Sequence, residues 1–280
     1  MQVFQTGADR YQNPSKDPYA TINQRTLAFF VGLVALGLPI IMLFGVFNPY
    51  WPTCYRASIS HYYYAPFLGG PFIGALVFIG TYLWVYQGED KDGAEGRLAT
   101  WAGVFAIGVA LFPTSGFGCD AESFTARAMV SFGPDPDQLD LIKVPPIDGL
   151  PDLAPYFQLT TFSASVHYAC AALLFSFLAW FALFVFTAVE PHQRKLDGSL
   201  KQTKIIRNSL YVACGSIMIC CILAMAAYAA LGAWTDLDLS WWPRNKLTFW
   251  FETVALWAFG LSWMVKGRFW GNALEDARES

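Results

Sequence analysis

The sequence predicts an all-α, polytopic membrane protein, a bundle of six transmembrane helices with both termini in the cytoplasm. Three observations carry this expectation. First, of 280 residues 55% are hydrophobic and only 14% are charged, whereas soluble domains carry about 25% charged residues. Second, uncharged apolar segments recur at about the 20-residue length that a helix needs to cross hydrocarbon. Third, Lys and Arg divide unevenly between alternate connections. An aromatic content of 17% excludes a disordered chain. A net charge of -3 and a pI near 5.6 argue against a nucleic-acid partner.

The spans follow in order. The first runs from Thr26 to Phe47 and carries no charge. The second runs from Phe67 to Tyr86. The third, Leu98 to Phe112, is the shortest and stops at Pro113. The fourth, from Gln158 to Val189, is over-long and is expected to tilt or project. The fifth runs from Ser209 to Ala233, and the sixth from Leu247 to Val265 with one acid, Glu252. No strand-length alternation repeats, and a backbone in lipid must satisfy itself, so helices are the spanning option. No internal repeat supports an inverted-repeat transporter. Residues 1–25 mix Asp9, Arg10, Lys16 and Asp17 without the pattern of a cleavable signal peptide.

Counting basic residues sets the orientation. The N-terminal segment, the second and fourth connections and the C-terminus hold 13 of the 18 Lys and Arg; the other connections hold Arg56, Arg127, Lys143, Arg244 and Lys246. The expected organisation is a cytoplasmic segment 1–25, a transmembrane domain 26–266 with outer loops 48–66, 114–157 and 234–246, and a cytoplasmic tail 267–280. The location implied is a bacterial inner membrane. The third connection is acidic, with Asp120, Glu122, Asp135, Asp137, Asp140, Asp148 and Asp152. Cys170, Cys214, Cys220 and Cys221 fall inside spans and read as packing residues. Cys54 and Cys119 fall on the outer, oxidisable side, and a disulfide between them is expected. Tyr and Trp near the span ends, among them Trp51, Trp234, Trp241 and Trp242, read as an aromatic belt.

Ionisable side chains within spans are costly and mark function. An ionised Glu252 at mid-membrane would cost about 2.5–3.5 kcal/mol on the insertion scale. His167, on the fourth span, comes to a similar depth at a helical rise of about 1.5 Å per residue. Ser163 precedes His167 by one turn on the same face. An outward pocket of Ser60, His61, Asp120, Ser163, His167 and Glu252 is therefore expected. Three chemistries fit. His61 and His167 with Asp120 or Glu252 would bind a metal that activates water, but no His-x-x-x-His or His-Glu-x-x-His spacing supports one. Ser115 or Ser163 would be a nucleophile with His167 as base, but no Gly-x-Ser-x-Gly elbow occurs. Alternatively, His167 and Glu252 form a buried hydrogen-bonded pair that pins the fourth and sixth helices. His192 and the acids Glu89, Asp90, Asp92 and Glu95 read as solvated loop residues.

The stretch Ser58-Ile59-Ser60-His61-Tyr62-Tyr63-Tyr64-Ala65-Pro66, with Phe72 to Leu76 and Ala106 to Thr114, resembles uncharacterised multi-pass bacterial membrane proteins that carry a Ser-x-Ser-x-Tyr-Tyr-Tyr motif. His167-Tyr168-Ala169-Cys170-Ala171-Ala172 resembles the fourth span of the Frag1/DRAM/Sfk1 group. That resemblance implies lipid remodelling, lipid asymmetry or autophagy. Ser163 and His167 also imitate the Ser-x-x-x-His motif of the ceramidase-like hydrolases, whose further histidines near the last span have no counterpart here. The leading expectation is outer-leaflet lipid binding or remodelling. The alternatives are a non-catalytic scaffold or accessory subunit of a membrane complex and, third, a small-solute transporter. The partners expected are membrane lipids and another membrane protein or further copies of the chain. The sequence does not determine whether a cofactor is bound.

Overall fold

The structure is a computed structural model that describes residues 24–48, 50, 53–65, 67–86, 93–117, 123–124, 126, 128–129, 156–157, 162–189, 193–195 and 197–267. Among them are six helices of seventeen residues or more: α1 (Gln24–Phe47), α2 (Gly69–Val85), α3 (Ala94–Leu111), α4 (Ser163–Trp180), α5 (Gln202–Trp234) and α7 (Leu247–Lys266). The four-residue helix α6 (Trp241–Arg244) lies between the last two. Two minimal antiparallel pairs, β1 (Gly116–Phe117) with β2 (Ser123–Phe124) and β3 (Ala128–Met129) with β4 (Tyr156–Phe157), are the strands among the described residues.

The long helices fall on the apolar segments read from the sequence. By length and composition, three of them are able to cross a membrane: Thr26–Phe47 in α1, Ser163–Val185 beginning with α4, and α5. Helix α2 is apolar but shorter, at 17 residues. Large apolar side chains such as Phe44, Leu223, Trp180 and Trp84 face outward.

Each long helix packs on its sequence neighbours from α1 to α5, and α7 closes the ring between α5 and α1. Helix α7 buries Phe249, Thr253, Phe259, Ser262 and Trp263, among others. Close helix contacts run through glycine. A methyl group on Gly32 would lie 2.6 Å from the Gly260 carbonyl, and one on Gly103 would lie 2.6 Å from the Gly80 carbonyl. Those approaches join α1 to α7 and α2 to α3. Small residues permit them because no Cβ intervenes.

The boundaries of three helices differ most from expectation, and α4 is one of them, beginning at Ser163 rather than Gln158. Helix α3 begins at Ala94 rather than Leu98. The fourth segment does not run on to Val189; a π-helical turn, Phe181–Val185, ends it. Helix α5 starts at Gln202, two turns before Ser209, so that Lys204 and Arg207 belong to its buried face rather than to a solvated loop. Hydropathy scores exclude such cations from a helix, yet a Lys at this position gains acceptors from the preceding chain. Lys204 Nζ donates to the Phe186 carbonyl at 3.1 Å and to that of Ala188. Asn208 donates to the Thr187 carbonyl at 3.1 Å. These are the bare carbonyls that follow a helix C-terminus, where a cation also suits the helix dipole.

Candidate functional site

The polar side chains gather at the end of the bundle where the first connection, residues 53–65, meets the start of α7. Ser60–Tyr64 forms a 3-10 turn. Both Glu252 carboxylate oxygens accept from Ser58 Oγ at 2.9 Å, and one also accepts from the Ile59 amide at 2.6 Å. Ser58 Oγ in turn accepts from the Ser60 amide at 3.1 Å. The carboxylate thus serves the N-terminus of the 3-10 turn, where backbone N–H groups lack partners. The favour is returned. No side chain caps α7, but the Ala57 carbonyl accepts the Phe249 amide at 2.9 Å. Loop and helix therefore cap each other.

Tyr55 and Tyr62 stand against Phe249, with ring centres 5.2 and 6.2 Å away. Tyr62 Oη accepts the Arg56 amide at 3.3 Å. Burial pushes the Tyr62 phenol up to about 12, partly opposed by that hydrogen bond and by the Arg56 charge. Burial also raises the Tyr55 and Tyr63 phenols.

The second polar group surrounds the end of α3. Pro113 disfavours helix for the residue before it, and Phe112 is extended, with φ −95° and ψ 111°. The stretched chain presents successive carbonyls without helical partners. His167 Nδ1 donates to the Phe112 carbonyl at 2.7 Å. Ser163 Oγ donates to the Pro113 carbonyl at 3.1 Å. Tyr64 Oη donates to the Thr114 carbonyl at 2.7 Å. Tyr168 Oη and Thr114 Oγ1 donate to the Ser115 carbonyl. Four consecutive carbonyls are each held by side chains from α4 and from the 3-10 turn. His61 is buried and lies directly against Gly116, which has no Cβ in its way.

The expected hydrogen bond between His167 and Glu252 is not formed. The imidazole serves the end of α3, the carboxylate serves the first connection, and α4 makes little contact with α7. Similar depth in two helices does not bring them face to face, because the ring of helices sets α4 and α7 apart on either side of α5. Ser163 donates to Pro113 and not to His167. Ser60 opens the 3-10 turn through its amide. Asp120 and Cys119 lie outside the described residues. Among the described residues no group of three or more His, Cys, Asp or Glu converges as metal ligands. Cys170, Cys214, Cys220 and Cys221 are free thiols.

The sequence reading passed over Ser58, Tyr64 and Tyr168 as site residues. One signal for Tyr64 and Tyr168 was available: a proline directly after a span leaves carbonyls that neighbouring hydroxyls must serve. For Ser58 no local signal exists, since its partner is 194 residues away. Compared with known proteins, the chain matches no protein family, no curated protein and no solved structure.

Proposed function

We propose that this chain is a multi-pass inner-membrane protein whose polar side chains serve to hold its connections in place, and that it acts as a non-catalytic scaffold or accessory subunit. The observation that carries this reading is the engagement of the expected pocket. Glu252, Ser163 and His167 each hold backbone of another segment. A general base or nucleophile has to reach a reacting atom, and these groups are committed to amides and carbonyls. The result is a rigid platform at one end of the bundle, suited to contact with another membrane protein.

All six long helices cross the membrane in this reading, with both termini cytoplasmic. Arg97, Lys201, Lys204 and Lys266 then lie at the cytoplasmic end, as the positive-inside rule asks. The disulfide at Cys54 lies at the opposite, oxidising end. A Cys54–Cys119 disulfide, the pairing expected from the sequence, belongs to this reading.

Outer-leaflet lipid binding is the second reading. Tyr50, Phe67, Phe162 and Trp234 are all exposed around the same end, as an aromatic belt at headgroup level would be. One experiment separates the two. Mild extraction of the native protein should bring down a stoichiometric membrane-protein partner. A His167→Ala protein that keeps its thermal stability but loses a bound lipid would replace the scaffold reading with the lipid one.

A further inference from the structure

The end of the bundle opposite the first connection contains a box of aromatic rings that the proposed function does not use. Trp263 of α7 is its centre. Ring centres of Phe186, Tyr82, Tyr86 and Phe259 lie 5.2, 5.3, 5.4 and 5.9 Å from it. Trp263 is 0% exposed and Tyr82 5%. Both have polar tips, and among the described residues neither Trp263 Nε1 nor Tyr82 Oη has a hydrogen-bond partner. The Asn208 Oδ1 acceptor is likewise buried without a partner, and its amide nitrogen holds Thr187, next to Phe186.

Packing alone does not explain these atoms. Phe at both positions would fill the box without burying a donor. Buried donors in native proteins are paired, to protein or to ordered water. In a membrane-spanning bundle the surrounding hydrocarbon offers no acceptor.

We propose that the box holds bound water, with one molecule accepting both the Trp263 N–H and the Tyr82 O–H. The stoichiometry fits. A buried water typically makes about three hydrogen bonds. Two donors occupy the water's lone pairs, and its own protons are left for an acceptor such as a helix carbonyl. The water would tie α2 to α7 at a depth where the helices otherwise meet through ring contacts. This inference stands apart from the scaffold reading, because it concerns the other end of the bundle.

Tyr82→Phe tests it, since the change removes one oxygen and keeps the ring. With shared water, the variant melts at a lower temperature in detergent. Ultraviolet resonance Raman spectra, with Trp263→Phe as the blank, then show the Trp263 N–H band at its hydrogen-bonded position in otherwise native protein and shifted in Tyr82→Phe. A higher melting temperature for Tyr82→Phe, together with a Trp263 band at the free N–H position, overturns the proposal. If Trp263→Phe does not fold, a high-resolution map of the native protein decides. Solvent density within hydrogen-bonding reach of both atoms supports the proposal, and rings in direct contact with no such density overturn it.

Discussion

The Glu252 carboxylate holds the Ile59 amide at 2.6 Å across 193 positions of sequence, and the Ala57 carbonyl holds Phe249 of the same helix at 2.9 Å. The first connection is therefore part of α7's N-terminal cap, and α7 is part of the connection's.

This reciprocity makes Glu252 and Ser58 a coupled pair. Hydrogen bonds to a charged group contribute about 1.5–3 kcal/mol. Glu252→Ala and Ser58→Ala should each destabilise by roughly that amount. The double variant should cost less than the sum, with a coupling of about 0.5–3 kcal/mol. Thermal or denaturant unfolding in detergent measures it, and strict additivity would refute the cap.

His167→Ala should leave the part-buried Phe112 carbonyl without its donor, at a cost of about 1–3 kcal/mol. His167→Gln restores a donor and should recover part of the loss, whereas His167→Phe should not. A melting series of these three variants distinguishes a carbonyl holder from a packing residue.

Gly260→Ala places a methyl 2.7 Å from the Gly32 carbonyl. Neither backbone can withdraw without parting α1 from α7, so a cost of about 1–3 kcal/mol is expected. Gly74 on α2 has nothing within 4 Å of an added methyl. Gly74→Ala should be neutral or stabilising, by up to about 1 kcal/mol of helix propensity. Equal effects at the two sites would contradict the close approach.

Tyr62 ionises only near pH 12 when folded, against about 10 in an unfolded chain. Its folded pKa is the higher one, so its contribution is complete below pH 10 and is lost as the pH rises toward 12, by about 1.4 kcal/mol per pH unit. Melting temperatures between pH 9 and 12 should fall more steeply in the native protein than in Tyr62→Phe.

If the proposed disulfide and orientation hold, Cys54 resists a membrane-impermeant maleimide until a reductant is added, and then reacts from the non-cytoplasmic side only. Labelling without reductant, or from the cytoplasm alone, would contradict the disulfide or the orientation.

The helices were legible because their signal is local. A run such as Thr26–Phe47 needs no distant partner to be recognised as lipid-compatible. The candidate site was not legible in the same way. The rise of a helix gives the depth of His167 and Glu252, but not the direction in which either points, and the ring order of the helices sent them to different carbonyls and amides. Composition places Lys204 and Arg207 in a connection, because it cannot show that the Phe186 and Ala188 carbonyls await one of them.

The sequence by itself determined a helical chain with long apolar segments, the break at Pro113 and the approximate positions of its six long helices, since each follows from residues adjacent in the chain. Only the tertiary structure decided the partners of its buried polar groups. Hydrogen bonds act over about 3 Å, and in this bundle residues 50 to 194 positions apart come within that reach.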